Sequence, residues 1–372
     1  MNFHELSKLP PVINLIEVLL RNNFKITLIT LDETNKSLLN EFKDKKVNII
    51  YLKSNSKIHL IDFFIRKIKL RKIVENLMKE NDYIWTTTDR TVREVGKSLF
   101  KYKHIMQLME LLYDIPYFPK QNLIKTNLKK YAKKAYKVVV PEYNRAHIQK
   151  TWWNLDEIPV VLPNKPAIID YNTIVKDEKI SSLINNIKSK QKKIIIYQGV
   201  IRKERPLEPI AAAVDTIKND YIFLIMGQDS EGEVNRLKSK YDCIVHIPFV
   251  APPDHLKITR LAHIGILSYI PEFNSKLHFS ELNALFCAPN KIYEYAAYHL
   301  PMLGNDVPGL KIPFDLYNIG LTCNFNDIEN IKNSILSIEK NYEKYSDSCI
   351  KFFDNTNLDH IILNEILGDN KN

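Results

Sequence analysis

Pro289 and Asn290 stand directly before Lys291-Ile292-Tyr293-Glu294-Tyr295-Ala296-Ala297-Tyr298, and Pro301 follows soon after. That order predicts a short helix opened near Asn290 and stopped before Pro301. The free N–H groups and positive dipole of a helix start suit a diphosphate. Glu294 falls about one turn further on, where a carboxylate can accept both hydrogen bonds of a ribose diol. The two contacts together fit a nucleoside diphosphate. The same residues also suit a capped amphipathic helix with Glu294 merely solvated.

A second stretch reads Ile194-Ile195-Ile196-Tyr197-Gln198-Gly199 and then Val200-Ile201-Arg202-Lys203-Glu204-Arg205. It predicts a buried strand ended by a glycine, where the backbone can turn and approach a ligand closely. Ligands of open α/β sheets bind beyond the carboxyl ends of strands, which is where the basic loop carrying Arg202, Lys203 and Arg205 must lie. Guanidinium groups there would neutralise a departing pyrophosphate. Taken alone the loop is equally an ordinary basic turn. Its significance comes from preceding the Asn290 helix in the same domain.

The elements that must position these residues alternate regularly. Short apolar runs predict strands at 25–31, 47–52, 83–87, 104–108 and 137–140, then at 194–197, 222–226, 244–247, 264–268, 301–303 and 321–324. Amphipathic stretches between them predict helices, among them 12–21, 58–78, 210–217, 233–239, 291–298 and 327–342. Such alternation implies parallel sheets covered by helices, here two doubly wound α/β halves in tandem. Pro163-Asn164-Lys165-Pro166 marks the break between them. The expected division is 1–166, 167–350, and a C-terminal amphipathic helix within 351–372 that could return to the first domain. No buried strand with a glycine-rich turn opens the first half; either that strand is missing or Met1–Leu6 supplies an irregular substitute.

The residues from Gly199 to Tyr295 carry a resemblance. Gly199 with Arg205, Gly227-Gln228, Pro248-Phe249-Val250, Ala262 to Ser268, and Pro289-Asn290-Lys291-Ile292-Tyr293-Glu294-Tyr295 resemble the donor domain of family 4 (group 1) glycosyltransferases. The resemblance is strongest over 192–325. It reaches more weakly into the first half at Pro141-Glu142-Tyr143-Asn144-Arg145, and its subgroup resembles enzymes of bacterial capsule, exopolysaccharide and lipopolysaccharide synthesis. It implies a GT-B fold, two Rossmann-like domains facing a cleft that holds the donor. It also implies no metal, no cofactor beyond the nucleotide-sugar substrate (a UDP- or GDP-sugar), and retention of anomeric configuration. By the same resemblance Glu294 would bind the donor ribose and Arg205 the diphosphate. Gly199, Arg202, Lys203, Asn290 and Lys291 would line the donor site, and Phe249 and Val250 would border the base. Two family features are absent. Phe286 occupies the place of a first glutamate before Glu294, and the first-domain histidine position reads Gln107-Leu108-Met109-Glu110. Glu110 is the nearby candidate for acceptor contact or general-base help, and it is equally a plain loop carboxylate.

Composition limits the partners. Net charge is +10 and apolar residues make up 45%, so an anionic partner is plausible. Arg66, Lys67, Lys69 and Arg71 lie among Phe63, Phe64, Ile65, Ile68 and Leu70, and a second cluster includes Lys129, Lys130, Lys133 and Lys134. These basic amphipathic segments suit an anionic membrane surface, although solvated helix faces packing their apolar sides inward would read the same. With no spanning segment and no secretory signal, the expectation is a cytoplasmic protein, peripheral on the inner leaflet, acting on a glycan or lipid-linked oligosaccharide. Cys243, Cys287, Cys323 and Cys349 form no CxxC pair, so no zinc site is expected. Nucleic acid is not an expected partner, since no reader motif accompanies the charge. The alternatives are a sugar-nucleotide epimerase on the same fold, or a degenerate chain that scaffolds other enzymes.

Overall fold

The computed structural model describes residues 6, 9–31, 36–52, 59–118, 123–167, 178–201, 205–250, 252, 254–271 and 280–368. The chain divides into two compact units, Met1–Ile168 with Asn357–Asn372, and Ile169–Thr356.

The first unit contains α1 (Pro10–Arg21), β1 (Thr27–Thr30), α2 (Lys36–Asp44), β2 (Asn48–Tyr51), α3 (His59–Leu77), β3 (Tyr83–Thr86), α4 (Asp89–Val95) and β4 (Lys103–Gln107). These are followed by β5 (Ile115–Pro116), β6 (Lys125–Thr126), α5 (Leu128–Ala132), β7 (Lys137–Val140), α6 (Tyr143–Trp153) and β8 (Val160–Val161). Strands β3, β4, β7 and β8 form a parallel sheet in that order. β1 and β2 form a separate parallel pair, and β5 and β6 an antiparallel one. Expectations for Met1–Leu6 fall on residues outside those described, except Leu6 itself, which is fully buried beside Val12, Ile16 and Leu28.

The second unit runs α7 (Glu178–Ser189), β9 (Lys193–Gln198), α8 (Glu208–Asp215), β10 (Tyr221–Met226), α9 (Glu233–Lys238), β11 (Ile244–Ile247), α10 (His255–Thr259) and β12 (Ile264–Leu267). It continues with α11 (Ser280–Leu285), α12 (Asn290–Ala297), β13 (Met302–Asn305), α13 (Pro308–Tyr317), β14 (Gly320–Cys323), α14 (Ile328–Lys340) and α15 (Tyr342–Asn355). α15 continues across residue 350, where a boundary was expected, so the residues up to Thr356 group with this unit. The last piece, α16 (Leu358–His360) and its extension Ile361–Ile366, packs in the first unit against Leu15 and Val18 of α1. Asp359 there pairs with Arg21 and accepts from Asn22 Nδ2 at 2.6 Å.

All six strands of the second unit are parallel, in the order β11-β10-β9-β12-β13-β14. The sheet is buried on both faces because alternate residues of each strand feed different cores. Ile194 and Ile196 join Ile222, Leu224 and Met226 on one side. Ile195 and Tyr197 join Tyr221, Phe223 and Ile225 on the other. A sheet covered this way needs near-continuous apolar strands, which is what the sequence supplies. The chain first winds outward from β9 to β11, then returns to begin again at β12. The point where strand order reverses, between β9 and β12, is where such sheets hold ligands at their carboxyl ends.

Candidate active site

Four segments converge at that reversal. β9 ends in Tyr197 and Gln198 and passes into Gly199, whose φ of +135° is open to glycine and strained for other residues. A Cβ at Gly199 would lie 3.2 Å from Lys291 Nζ and 3.8 Å from Arg205 Nη1, so both cations stand over this bend of backbone. β12 runs into Ser268 and Tyr269. Asn305 at the end of β13 fixes Tyr269 by accepting from its N–H and donating to its carbonyl, both at 2.7 Å. The Tyr269 ring thereby lies 5.1 Å from the Arg205 guanidinium and 5.3 Å from Lys291 Nζ.

Helix α12 is placed by its own packing. Tyr295 is fully buried and shares its hydroxyl between the carbonyls of Ile196 and Ile266, each at 3.4 Å. Gly265 leaves the space that the ring fills, since a Cβ there would overlap it. With Tyr295 anchored under the two central strands, the first turn of α12, including Asn290 and Lys291, falls at the reversal. Lys291 is buried, 4.4 Å from the Tyr197 ring, and its ammonium has no hydrogen-bond partner among the described residues. Burial first, and then the Arg205 charge, push the Lys291 pKa well below the ordinary lysine value. A buried cation beside a second cation and without a carboxylate bonded to it is costly, and an arriving anion would relieve that cost.

Glu294 lies one turn on and is held from two sides. Gln198 Nε2 donates to its Oε2, and His255 Nε2 stands 3.6 Å from its Oε1. Thr259 Oγ1 donates to Gln198 Oε1 at 2.6 Å, which fixes the amide so that its N–H faces Glu294. Helix α12 thus carries Lys291 at one end, beside Arg205 and Gly199 of the segment after β9, and the carboxylate of Glu294 one turn on. Phe249 and Val250 lie in the segment after β11 that leads into α10 and His255; Phe249 is 66% exposed and Val250 half-buried. Arg202 and Lys203 lie outside the described residues.

The sequence matches no family model and no curated protein sequence. Solved structures do match over nearly the whole chain. A glycosyltransferase from Rickettsia africae ESF-5 aligns with TM-score 0.66 and 16% identity, covering 96% of this chain and 94% of that one. Anabaena Alr3699/HepE, solved in complex with UDP and glucose, aligns with TM-score 0.67 and 13% identity over 99% and 98% of the two chains. The S. aureus MnaA–UDP structure gives TM-score 0.61 and 13% identity, with 98% and 95% covered.

The fold is GT-B.

In this GT-B chain the site residues expected in the first unit take varied positions. Glu110 follows β4, is half exposed, and lies 3.7 Å from Arg145 Nη1, which also donates to the Met109 carbonyl at 2.8 Å. The basic face expected on α3 is corrected by the structure. Lys67 is buried, with its ammonium 4.2 Å from the Tyr117 ring and 4.6 Å from Phe63. Arg66 pairs inward with Asp62 at 3.1 Å and Glu94 at 3.7 Å, and Arg71 donates to the Val95 carbonyl at 3.4 Å. The outward face instead carries Phe64, Ile65, Ile68 and Lys69. Arg66 turns inward toward Glu94, which is itself buried. Around α5, Lys130, Lys133 and Lys134 are exposed and Lys129 half-buried.

Sequence reasoning missed Gln198, His255, Thr259 and Tyr269. Gln198 had a signal, a polar residue closing an otherwise apolar buried strand. His255 and Thr259 belong to the five-residue α10, too short to show a period.

Proposed function

We propose that this protein is a retaining glycosyltransferase that moves a sugar from a nucleoside-diphosphate donor to a hydroxyl of a glycan or lipid-linked acceptor. The observation that carries the reading is the buried Lys291, without a hydrogen-bond partner among the described residues, beside Arg205 and Gly199 at the strand-order reversal, one turn before Glu294. Arg205, Lys291 and the Asn290 helix start receive the diphosphate, and Glu294, aimed by Gln198, receives the ribose diol. Phe249 and Val250 border the base. In the transfer the bond from the anomeric carbon to the diphosphate oxygen breaks, and a bond to the acceptor oxygen forms on the same face. The hydroxyl proton leaves with the diphosphate oxygen or to solvent, and Glu110 is the first-unit candidate to contact the acceptor. The chain's own cations stabilise the leaving group, so the chemistry is mostly positioning and electrostatics, without a metal or a further cofactor. UDP in two of the similar structures favours a UDP-sugar donor here. The resemblance to family 4 enzymes supports a role in bacterial surface polysaccharide synthesis.

The test is thermal stabilisation by a panel of nucleoside diphosphates and their sugars, with Glu294→Ala alongside. Stabilisation by one base, lost in the variant, supports the donor site. Indifference to every nucleotide would sink it and favour a scaffold. An epimerase would change the sugar without any acceptor, which product analysis would reveal.

The proposal includes attachment to an anionic inner-leaflet surface through Phe64, Ile65, Ile68 and Lys69 of α3 and through Lys130, Lys133 and Lys134. Among the described residues no helix is long and apolar enough to cross a membrane. Failure to sediment with anionic vesicles at low salt would refute attachment.

A further inference from the structure

The inward cations of α3 meet more cations from α4. Arg93, 8% exposed, donates from Nη2 to Glu94 at 2.9 Å and from Nη1 to the Pro116 carbonyl at 3.1 Å. Arg90 is half-buried and makes no hydrogen bond among the described residues, and its Nε is buried without a partner. Among the described residues the Nε atoms of Arg66 and Arg93 are likewise buried without a hydrogen bond, as are Asp62 Oδ1 and Glu94 Oε2, the latter 3.7 Å from Arg66. Lys67, only 3% exposed, also has no hydrogen-bond partner among the described residues and is held against two aromatic rings. Burial first pushes its pKa down to about 8; Glu94 opposes the shift, while Arg71, Arg93 and Arg66 add to it. Burial, then Arg93, also lowers Arg90.

A purely structural ion network balances its charges, and this one does not. Among the described residues Arg66, Lys67, Arg71, Arg90 and Arg93 face Glu94, Asp62 and Asp89, more cations than carboxylates. The surplus cations repel one another in a partly desolvated place, a cost that an anion would remove. Arg90 and Arg93 lie on the helix that follows β3, beyond that strand's carboxyl end, where α/β sheets hold ligands.

We propose that Arg66, Lys67, Arg90 and Arg93 form a second anion site, in the first unit, that takes a phosphate or diphosphate group carried by the acceptor. The assignment to an acceptor rests on the transferase reading above. Two sources share this chemistry: a lipid-linked diphosphate and a soluble phosphorylated glycan. The outward Phe64, Ile65 and Ile68 on the same helix make the lipid source worth separating.

The experiment titrates inorganic pyrophosphate, geranyl diphosphate and uncharged geraniol into full-length protein carrying Lys291→Met, which silences the donor diphosphate site. Both diphosphates bind and geraniol does not. Arg90→Gln or Lys67→Met weakens that binding about tenfold or more, while Arg90→Gln in the Lys291 protein keeps its nucleotide stabilisation. Tighter binding of geranyl diphosphate than pyrophosphate identifies the lipid-linked source, and equal binding the soluble one; either supports the site. Folded variants that bind pyrophosphate as well as their parent overturn it, as does a folded parent that binds neither diphosphate. Loss of nucleotide binding in the Lys291 protein, with pyrophosphate still titrating in an Arg90-dependent way, refutes the donor reading and leaves this site standing.

Discussion

Replacing Lys291 with methionine keeps the side chain's length and removes its charge. The ammonium now lies buried with no hydrogen-bond partner among the described residues, with the Tyr197 and Tyr269 rings at 4.4 and 5.3 Å. Its pKa sits well below the ordinary lysine value because of burial first and Arg205 second. A bound diphosphate raises that pKa again, so binding takes up a proton between the free-state and bound-state values. In that window the affinity of the wild type tightens by up to about tenfold per unit fall in pH. Below the free-state pKa the slope from this group disappears. The ligand's own terminal phosphate titrates near 6, so work well above that pH keeps the ligand's titration out of the measurement. A hydrogen bond to a charged group contributes about 1.5–3 kcal/mol, so Lys291→Met weakens nucleoside diphosphate binding by about 10- to 150-fold. Stability of the free protein moves the other way. The unfolded chain holds the lysine proton more tightly, so this residue makes wild-type stability rise with pH. The variant loses that slope and melts no lower than wild type at neutral pH. Calorimetric titrations in two buffers of different ionisation enthalpy read the proton uptake, and melting curves read the stability. Wild-type binding without proton uptake, or uptake unchanged in Lys291→Met, would refute the reasoning.

Gln198→Leu removes the amide that aims Glu294 and leaves Thr259 Oγ1 only the weaker bond to the His255 carbonyl at 3.1 Å. Stability falls by about 1–3 kcal/mol, and nucleosides bind more weakly while inorganic pyrophosphate at the Lys291 end is unaffected; equal loss of both would contradict separate ribose and diphosphate ends. Gly265→Ala puts a methyl group into the Tyr295 ring. The overpacking costs about 1–3 kcal/mol and displaces α12, so a lower melting temperature comes with weaker nucleotide binding, and a variant that melts lower but binds normally would show that Tyr295 does not set the register of Lys291. Glu339, ordinarily near 4.5, is held down to about 2: burial opposes ionisation, but hydrogen bonds from Lys193, Tyr221 at 2.8 Å and His263 at 2.7 Å outweigh it. Its contribution is present above pH 4.5 and lost as pH falls toward 2. Glu339→Gln therefore destabilises by about 1–2 kcal/mol at neutral pH, after discounting for solvent. Denaturant midpoints of the two proteins should converge as the pH approaches 2.

What could be read in advance follows from how much each element's pattern depends on distant partners. Strands β9, β10 and β12 are buried on both faces, so their composition alone gives them away, and Gly199 at the end of β9 could be read because the turn there needs a positive φ. The helix start at Asn290 was legible because a helix start has local chemistry. The pairing that orients Glu294 was not: Gln198 and His255 lie far from it in sequence, and nothing local to His255 reveals the contact. Helix α3 shows the opposite failure. Its sequence reads as a basic amphipathic face, because periodicity assigns apolar residues to the core and cations to water. The rule reverses where a buried carboxylate such as Glu94 draws Arg66 inward at 3.7 Å and Arg93 at 2.9 Å, with Lys67 following. Once those cations turn in, Phe64, Ile65 and Ile68 have only the outside left. One buried glutamate on a neighbouring helix thus decides both where this unit keeps its positive charge and which apolar side chains it presents. Glu94→Gln should weaken both at once, lowering stability through Arg93 and Arg66 left unpaired. It should also leave diphosphate binding by the surplus cations intact or tighter, since the one fully buried competing carboxylate is gone. Weaker diphosphate binding in a folded Glu94→Gln protein would refute competition between Glu94 and the anion for these cations.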